Sequence, residues 1–230
     1  MRYLCIALHL DGFAMRYIFI LLTCLQVSYI GGIFMQNHVS KSHFRIRALT
    51  EGAIFLALSV VLNYLSGMIF ASLPQGGSIT LAMFPLLLYV HRWGLSRGLI
   101  ACFAYGLLDM LLGKGYAWGW QSILLDYLVA YTALAVGGFF RGKDWGIFPA
   151  IALGCLGRFA VHHISGVTLY RIIEPTGIEG LEFLGVFSSP HLYSLAYNGA
   201  YMLPNTVIAL VIAGLLFVPM RKYFAGRDLQ

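Results

Sequence analysis

The sequence predicts an all-α, polytopic membrane protein. It reads as a bundle of six transmembrane helices with both ends cytoplasmic, preceded by a further hydrophobic segment. Three observations carry this. Of the 230 residues, 60% are hydrophobic and 10% charged, against about 45–50% apolar and about 25% charged in soluble domains. The apolar residues form continuous runs, whereas a membrane β-barrel needs alternating strands of about ten residues. Lys and Arg collect in every second turn between the runs, as cytoplasmic loops do. The composition excludes an ordinary soluble domain and intrinsic disorder. At roughly 20 residues per span, no length remains for a soluble catalytic domain.

Residues 1–34 form the first division. Tyr17–Phe34 is long enough to span, but spanning would put Arg2 and Arg16 outside, against the charge rule. A translation start at Met35 is the preferred reading, with a seventh helix or a signal-like segment flanked by Arg16 as alternatives. The six-helix domain then occupies 35–230, with apolar runs at about 48–70, 79–91, 95–112, 121–140, 146–170 and 192–219. The second run is short and ends in His91-Arg92-Trp93-Gly94, which predicts that it tilts or begins inside the protein. The breaks are Pro74-Gln75-Gly76-Gly77, Gly113-Lys114-Gly115, Arg141-Gly142-Lys143 and the stretch from Pro175 to Pro190.

Charge orients the runs. One side carries Lys41, Arg45 and Arg47, then Arg92 and Arg97, then Arg141 and Lys143, then Arg221, Lys222 and Arg227; the other carries Lys114 and Arg171. The first side is cytoplasmic by the positive-inside rule. This pattern also explains the net charge of +6 without nucleic acid, since the basic residues follow the turns and form no stripe. Cys5, Cys24, Cys102 and Cys155 lie in apolar stretches with no CxxC pair and read as small buried hydrophobes.

Polar residues inside spans are costly and mark candidate sites. Asp126 opens the fourth run, Asp109 lies near the outer end of the third, Arg158, His162 and His163 lie in the fifth, and Asn198 lies in the sixth. Asp126, His162 and Asn198 fall toward the outer end, with Tyr116, Tyr127, Tyr170, Tyr193 and Tyr197. Tyrosines at that depth also serve as interfacial belt residues. His162, Gly166 and Tyr170 follow at i, i+4 and i+8 and share a face, where Gly166 is expected to leave open space between two flat side chains. Asp126, Ala130, Ala133 and Gly137 share another, which predicts close packing below the carboxylate. Asp126 has no evident cationic neighbour, and Arg158 is expected to pair with Asp109 or a carbonyl.

A carboxylate among aromatic rings suits a flat organic cation. An amide and an imidazole add donors and acceptors for a polar heterocycle. A phosphate would need a basic cluster that the outer face lacks. His162 and His163 point about 100° apart on a helix, so no metal site is expected. The chain has no GxxxxGK[ST], HExxH or GxSxG motif.

Several stretches then combine. They are Leu73-Pro74-Gln75-Gly76-Gly77-Ser78, Leu125-Asp126-Tyr127, Arg158-Phe159 with His162 and Ile164-Ser165-Gly166, and Tyr193 with Tyr197-Asn198-Gly199 and Tyr201-Met202-Leu203-Pro204. In this order, from about Phe44 to Tyr223, the chain resembles the thiamine-specific substrate-binding subunit of energy-coupling factor (ECF) transporters. The resemblance implies a thiamine pocket open to the outside and no enzyme activity or cofactor. It also implies partners: a transmembrane coupling protein and two ATPase subunits, which alone use ATP. Through it, Asp126 takes the place of a pocket carboxylate that is Glu in relatives, and Tyr127, His162, Gly166, Tyr193 and Asn198 match pocket positions. Tyr170 stands where Trp is expected, and Tyr116 matches a pocket tyrosine. The first outer loop lacks the family's tryptophan, for which Trp118 or Trp120 would substitute as a lid. Ala53 and Ala57 match a face that docks onto the coupling protein. Alternatives are a related subunit for another vitamin or a thiamine precursor, and an intramembrane enzyme using Asp126 and His162 as acid and base.

Overall fold

A computed structural model of the chain describes residues 41–70, 72–73, 76–112, 119–173 and 189–229, apart from the side chains of 41–42 and 169–173. The expectations for residues 1–34, Lys114, Tyr116 and Trp118, and for the side chains of Tyr170 and Arg171, lie outside these residues. The chain divides into two compact units, one ending at Thr50 and one beginning at Glu51. The candidate site lies wholly in the second.

All regular structure among the described residues is helical. The helices are α1 (Lys41–Ile69), α2 (Met83–Trp93), α3 (Leu95–Leu111), α4 (Trp120–Phe140), α5 (Ile147–Ile173) and α6 (Pro190–Phe224), followed by a 3₁₀ turn, Arg227–Leu229. Four are long and apolar enough to cross a membrane: His43–Ile69, Trp120–Phe140, Ile147–Thr168 and Pro190–Leu229. The chain is an all-α, multi-pass membrane protein, as its composition predicts. The last helix outruns the expected 192–219, because Arg221 and Lys222 in its final turn suit the negative end of the helix dipole.

Helix α2 has 11 residues, every one buried, and is about 16 Å long. It starts four residues later than the apolar run, because residues 77–81 are non-helical and their polar groups are satisfied by side chains. Gly77 N–H donates to the Tyr197 hydroxyl at 3.0 Å, Thr80 N–H to Asn205 Oδ1 at 2.7 Å, and Leu81 N–H to Ser66 Oγ at 2.9 Å. Asn205 Nδ2 donates back to the Ser78 carbonyl at 3.0 Å. Non-helical backbone survives at membrane depth only when buried in protein and paired in this way. Helix α2 ends at Gly94, whose φ of 84° and ψ of −179° lie in a region essentially closed to other residues, so α3 starts at once.

Near that turn the buried Arg92 is shared by two carboxylates. Its Nε donates to Glu51 Oε2 at 2.7 Å and its Nη1 to Asp228 Oδ1 at 2.6 Å, while the guanidinium lies 3.8 Å over the Tyr223 ring. This fastens the C-terminal turn. Asp144 in the α4–α5 turn adds contacts of 2.7 Å to Arg221 and 2.6 Å to Arg227.

Helix α4 is irregular. Trp120–Ser122 is α-helical, Ile123–Val129 is π-helical, Ala130–Ala133 is α-helical and Leu134–Phe140 is a 3₁₀ helix. The wide section shows in Ala130 N–H, which donates to Leu125 C=O five residues back. Below it the small residues pack on α5: a Cβ on Gly157 would sit 3.0 Å from the Ala133 carbonyl, and one on Gly137 would meet the Ala150 carbonyl. The expected close-packing face is therefore present. Cys102 and Cys155 are free and buried.

Candidate functional site: a carboxylate and an imidazole between α4, α5 and α6

Asp126 lies in the π-helical section, in the second turn of α4 and not at its start. Its carboxylate has three partners among the described residues. Ser122 Oγ, one turn earlier, donates to Oδ2 at 2.8 Å; Ser165 Oγ of α5 donates to the same oxygen at 2.9 Å; and His162 Nδ1 lies 2.9 Å from Oδ1. Where the sequence offers Asp126 no evident cationic neighbour, the imidazole of α5 reaches it. The Asp126 side chain keeps 21% of its surface exposed, whereas His162 keeps 7%.

Arg158 also departs from expectation. It donates from Nε to His162 Nε2 at 3.1 Å, and its guanidinium lies 3.8 Å over the Tyr131 ring. Tyr131 passes the contact on, its hydroxyl donating to Asp109 Oδ2 at 3.0 Å, and Asn63 Nδ2 of α1 donates to Asp109 Oδ1 at 2.7 Å. The cause is geometric: on α5, Arg158 and His162 are one turn apart, so guanidinium and imidazole stack along one face. His163 points elsewhere, with Nε2 3.4 Å from Nδ1 of His191.

Asn198 bridges α5 and α6. Its Nδ2 lies 3.1 Å from the His162 carbonyl, 2.9 Å from the Ser194 carbonyl and 3.1 Å from Ser194 Oγ. Its Oδ1 accepts the Tyr201 hydroxyl at 2.7 Å. Gly166 leaves no open space, contrary to expectation: a Cβ there would meet Ser194 Oγ and lie 3.0 Å from Asn198 Nδ2. The missing side chain instead lets α6 approach α5. Tyr193, Tyr197 and Tyr201 repeat at i, i+4 and i+8 and are all buried. The first two rings are parallel, 7° apart in plane at 6.2 Å, and the Tyr201 ring meets His162 edge-on at 5.8 Å. Tyr127 is half-buried, its carbonyl against Gly106 of α3.

The structure therefore brings Asp126, His162, Asn198, Gly166, Tyr193 and Tyr127 into neighbouring turns of α4, α5 and α6. It adds Ser122 and Ser165, which sequence reasoning did not assign to the site, and it gives Arg158 a different partner. Ser122 is four residues before Asp126 and Ser165 three after His162, spacings that put each hydroxyl on the face of its partner. Away from the site, Ala53 and Ala57 are both exposed on α1.

Comparison with known proteins places the chain in a family. The family described as thiamine transporter protein (Thia_YuaJ) matches residues 49–225. Thiamine transporter ThiT of Bacillus subtilis (strain 168) is 34% identical over 183 residues, covering 74% of this chain and 90% of the relative. Thiamine transporter ThiT of Lacticaseibacillus paracasei (strain ATCC 334) is 25% identical over 204 residues, covering 82% and 95%. A solved structure of ThiT from Listeria monocytogenes has the same fold, with a TM-score of 0.64 at 24% identity, over 78% of this chain and 98% of that one. A match over most of the length, in sequence and in fold, identifies this chain as a member of the thiamine transporter protein family.

Proposed function

We propose that this chain is the thiamine-binding subunit of an ECF-type importer, capturing the vitamin at the outer face and passing it inward when coupled to a shared ATPase module. The family consists of transporters, not enzymes, so Asp126 and His162 act as binding groups. The observation that carries the reading is Asp126: an anion at membrane depth, partly exposed, whose partners are two hydroxyls and an imidazole. Thiamine brings a permanent thiazolium charge to that carboxylate, and its aminopyrimidine has polar edges suited to Asn198 and Tyr193. His162 offers a ring face, and Gly166 holds α5 close to α6. Tyr127, Tyr116 and Tyr170 join the site through the family resemblance.

In this reading six helices span, including the short α2, and both ends of the six-helix unit are cytoplasmic. Residues 35–230 form the binding domain, and a chain starting at Met35 retains thiamine binding. The exposed Ala53 and Ala57 support a docking face for the coupling protein, since small residues let helix backbones approach closely in lipid. Mass spectrometry of the small molecule released from detergent-purified protein tests the function. Unaltered thiamine in near one-to-one amount is expected. A different vitamin, or protein that calorimetry finds indifferent to added thiamine, refutes it.

A further inference from the structure

We propose that Arg158 is a positioning residue: it holds His162 in a single neutral tautomer and so reserves the charge of Asp126 for a cationic ligand. The proposal rests on reading Asp126 as the binding carboxylate.

The argument is one of donors and acceptors. A guanidinium has five N–H donors, no acceptor, and stays protonated in proteins. Its Nε–H is directed at His162 Nε2, 3.1 Å away. That nitrogen must therefore present its lone pair. The single ring proton then belongs on Nδ1, 2.9 Å from Asp126 Oδ1, where it is donated to the carboxylate. A doubly protonated ring would turn an N–H toward the N–H of Arg158 and set two positive charges in contact.

The groups around His162 are consistent with a neutral ring. From α4 comes Asp126; from α6 come the Tyr201 ring edge and Asn198 Nδ2, the latter on the His162 backbone carbonyl. Arg158 lays its charge over the Tyr131 ring, with Asp109 beyond the Tyr131 hydroxyl, and its buried Nη1 has no hydrogen-bond partner among the described residues. Its cation therefore faces α4 and α3, and among the described residues it reaches Asp126 through the neutral imidazole. All three contacts of Asp126 among the described residues are then uncharged donors. A charged His162 would form an ion pair with Asp126 and cancel the attraction for an incoming cation.

The test is ¹⁵N spectroscopy of the histidine rings in ligand-free, detergent-purified protein at pH 7, with His162→Gln to assign the signal. In the wild type His162 is expected to carry its proton on Nδ1 alone. Arg158→Met, which removes donor and charge, should give a mixture of ring forms and weaken thiamine binding about tenfold. Arg158→Lys, which returns a charged donor, should restore both. A wild-type ring protonated on Nε2, or on both nitrogens, overturns the proposal even if Arg158→Met fails to fold. So does an unchanged ring spectrum in Arg158→Met, whatever happens to binding. The ring spectra involve no thiamine, so they stand apart from the functional reading. That reading fails separately if Asp126→Asn binds thiamine as well as the wild type.

Discussion

Replacing Asp126 with Asn removes a charge and little else. The two side chains have the same shape. The new amide can turn its oxygen to the His162 Nδ1–H and its NH₂ to Ser122 and Ser165, whose hydroxyls rotate to accept. The ligand-free protein should therefore fold as before. The cost falls on a bound cation. Two unit charges 4–5 Å apart at an effective dielectric of about 20 attract by about 3–4 kcal/mol. Desolvating a carboxylate that is 21% exposed offsets part of this, leaving about 1.5–3 kcal/mol, as for hydrogen bonds to charged groups. Thiamine affinity should fall roughly ten- to a hundredfold. Calorimetry with thiamine and with an uncharged analogue, in which carbon replaces the thiazolium nitrogen, isolates the charge. The wild type should prefer thiamine by about that factor, and Asp126→Asn should not. An equal loss for both ligands, or no loss for thiamine, refutes the reasoning.

Three further outcomes follow from other parts of the structure. Ala57→Trp places a bulky ring on the exposed face of α1; thiamine binding in detergent should persist, while co-purification with the ATPase module and uptake in cells are lost. Gly106→Ala puts a Cβ against the Tyr127 carbonyl, where only backbone could yield. It should cost about 1–3 kcal/mol, read as a lower unfolding midpoint in detergent. Asp144 has its carboxyl held below the ordinary range, first by the hydrogen bond from Arg221 and also by Arg227, against a smaller opposing effect of desolvation. A depressed folded value means the contact stabilises fully above the unfolded value, near 4, and is lost as pH falls through the folded one. Hydrogen exchange over residues 220–229 should thus stay slow in the wild type at neutral pH and quicken on strong acidification, whereas Asp144→Asn exchanges fast at neutral pH.

The long helices are legible because each needs only its own apolar run: α5 stands within three residues of it at either end, while α1 and α6 cover theirs to within one residue and run on into flanking basic residues. The short α2 was misplaced by four residues because its start depends on Ser66 and Asn205, far away in sequence. The π-helical section of α4 has no composition signal. At the site, the residue types that cost most in lipid, Asp126, His162 and Asn198, declared themselves. Their partners did not, since Ser122 and Ser165 are cheap to place in a helix and matter only through a neighbour. Gly166 was read as a gap because a missing side chain looks the same whether a ligand or Ser194 fills the space.

The backbone ahead of α2 has a consequence for the order of assembly. Its N–H and C=O groups between Gly77 and Thr80 find partners on Tyr197 and Asn205, yet both belong to α6, which is synthesised after α2 to α5. In the proposed six-span arrangement this stretch has no stable place in hydrocarbon until α6 has emerged, since each unpaired polar group there costs several kcal/mol. On that reading the nascent chain keeps residues 77–82 near water or under the care of the insertion machinery while α3 to α5 enter the bilayer. Completion of the bundle is then a single late event, in which the final helix threads in and draws the second one to depth.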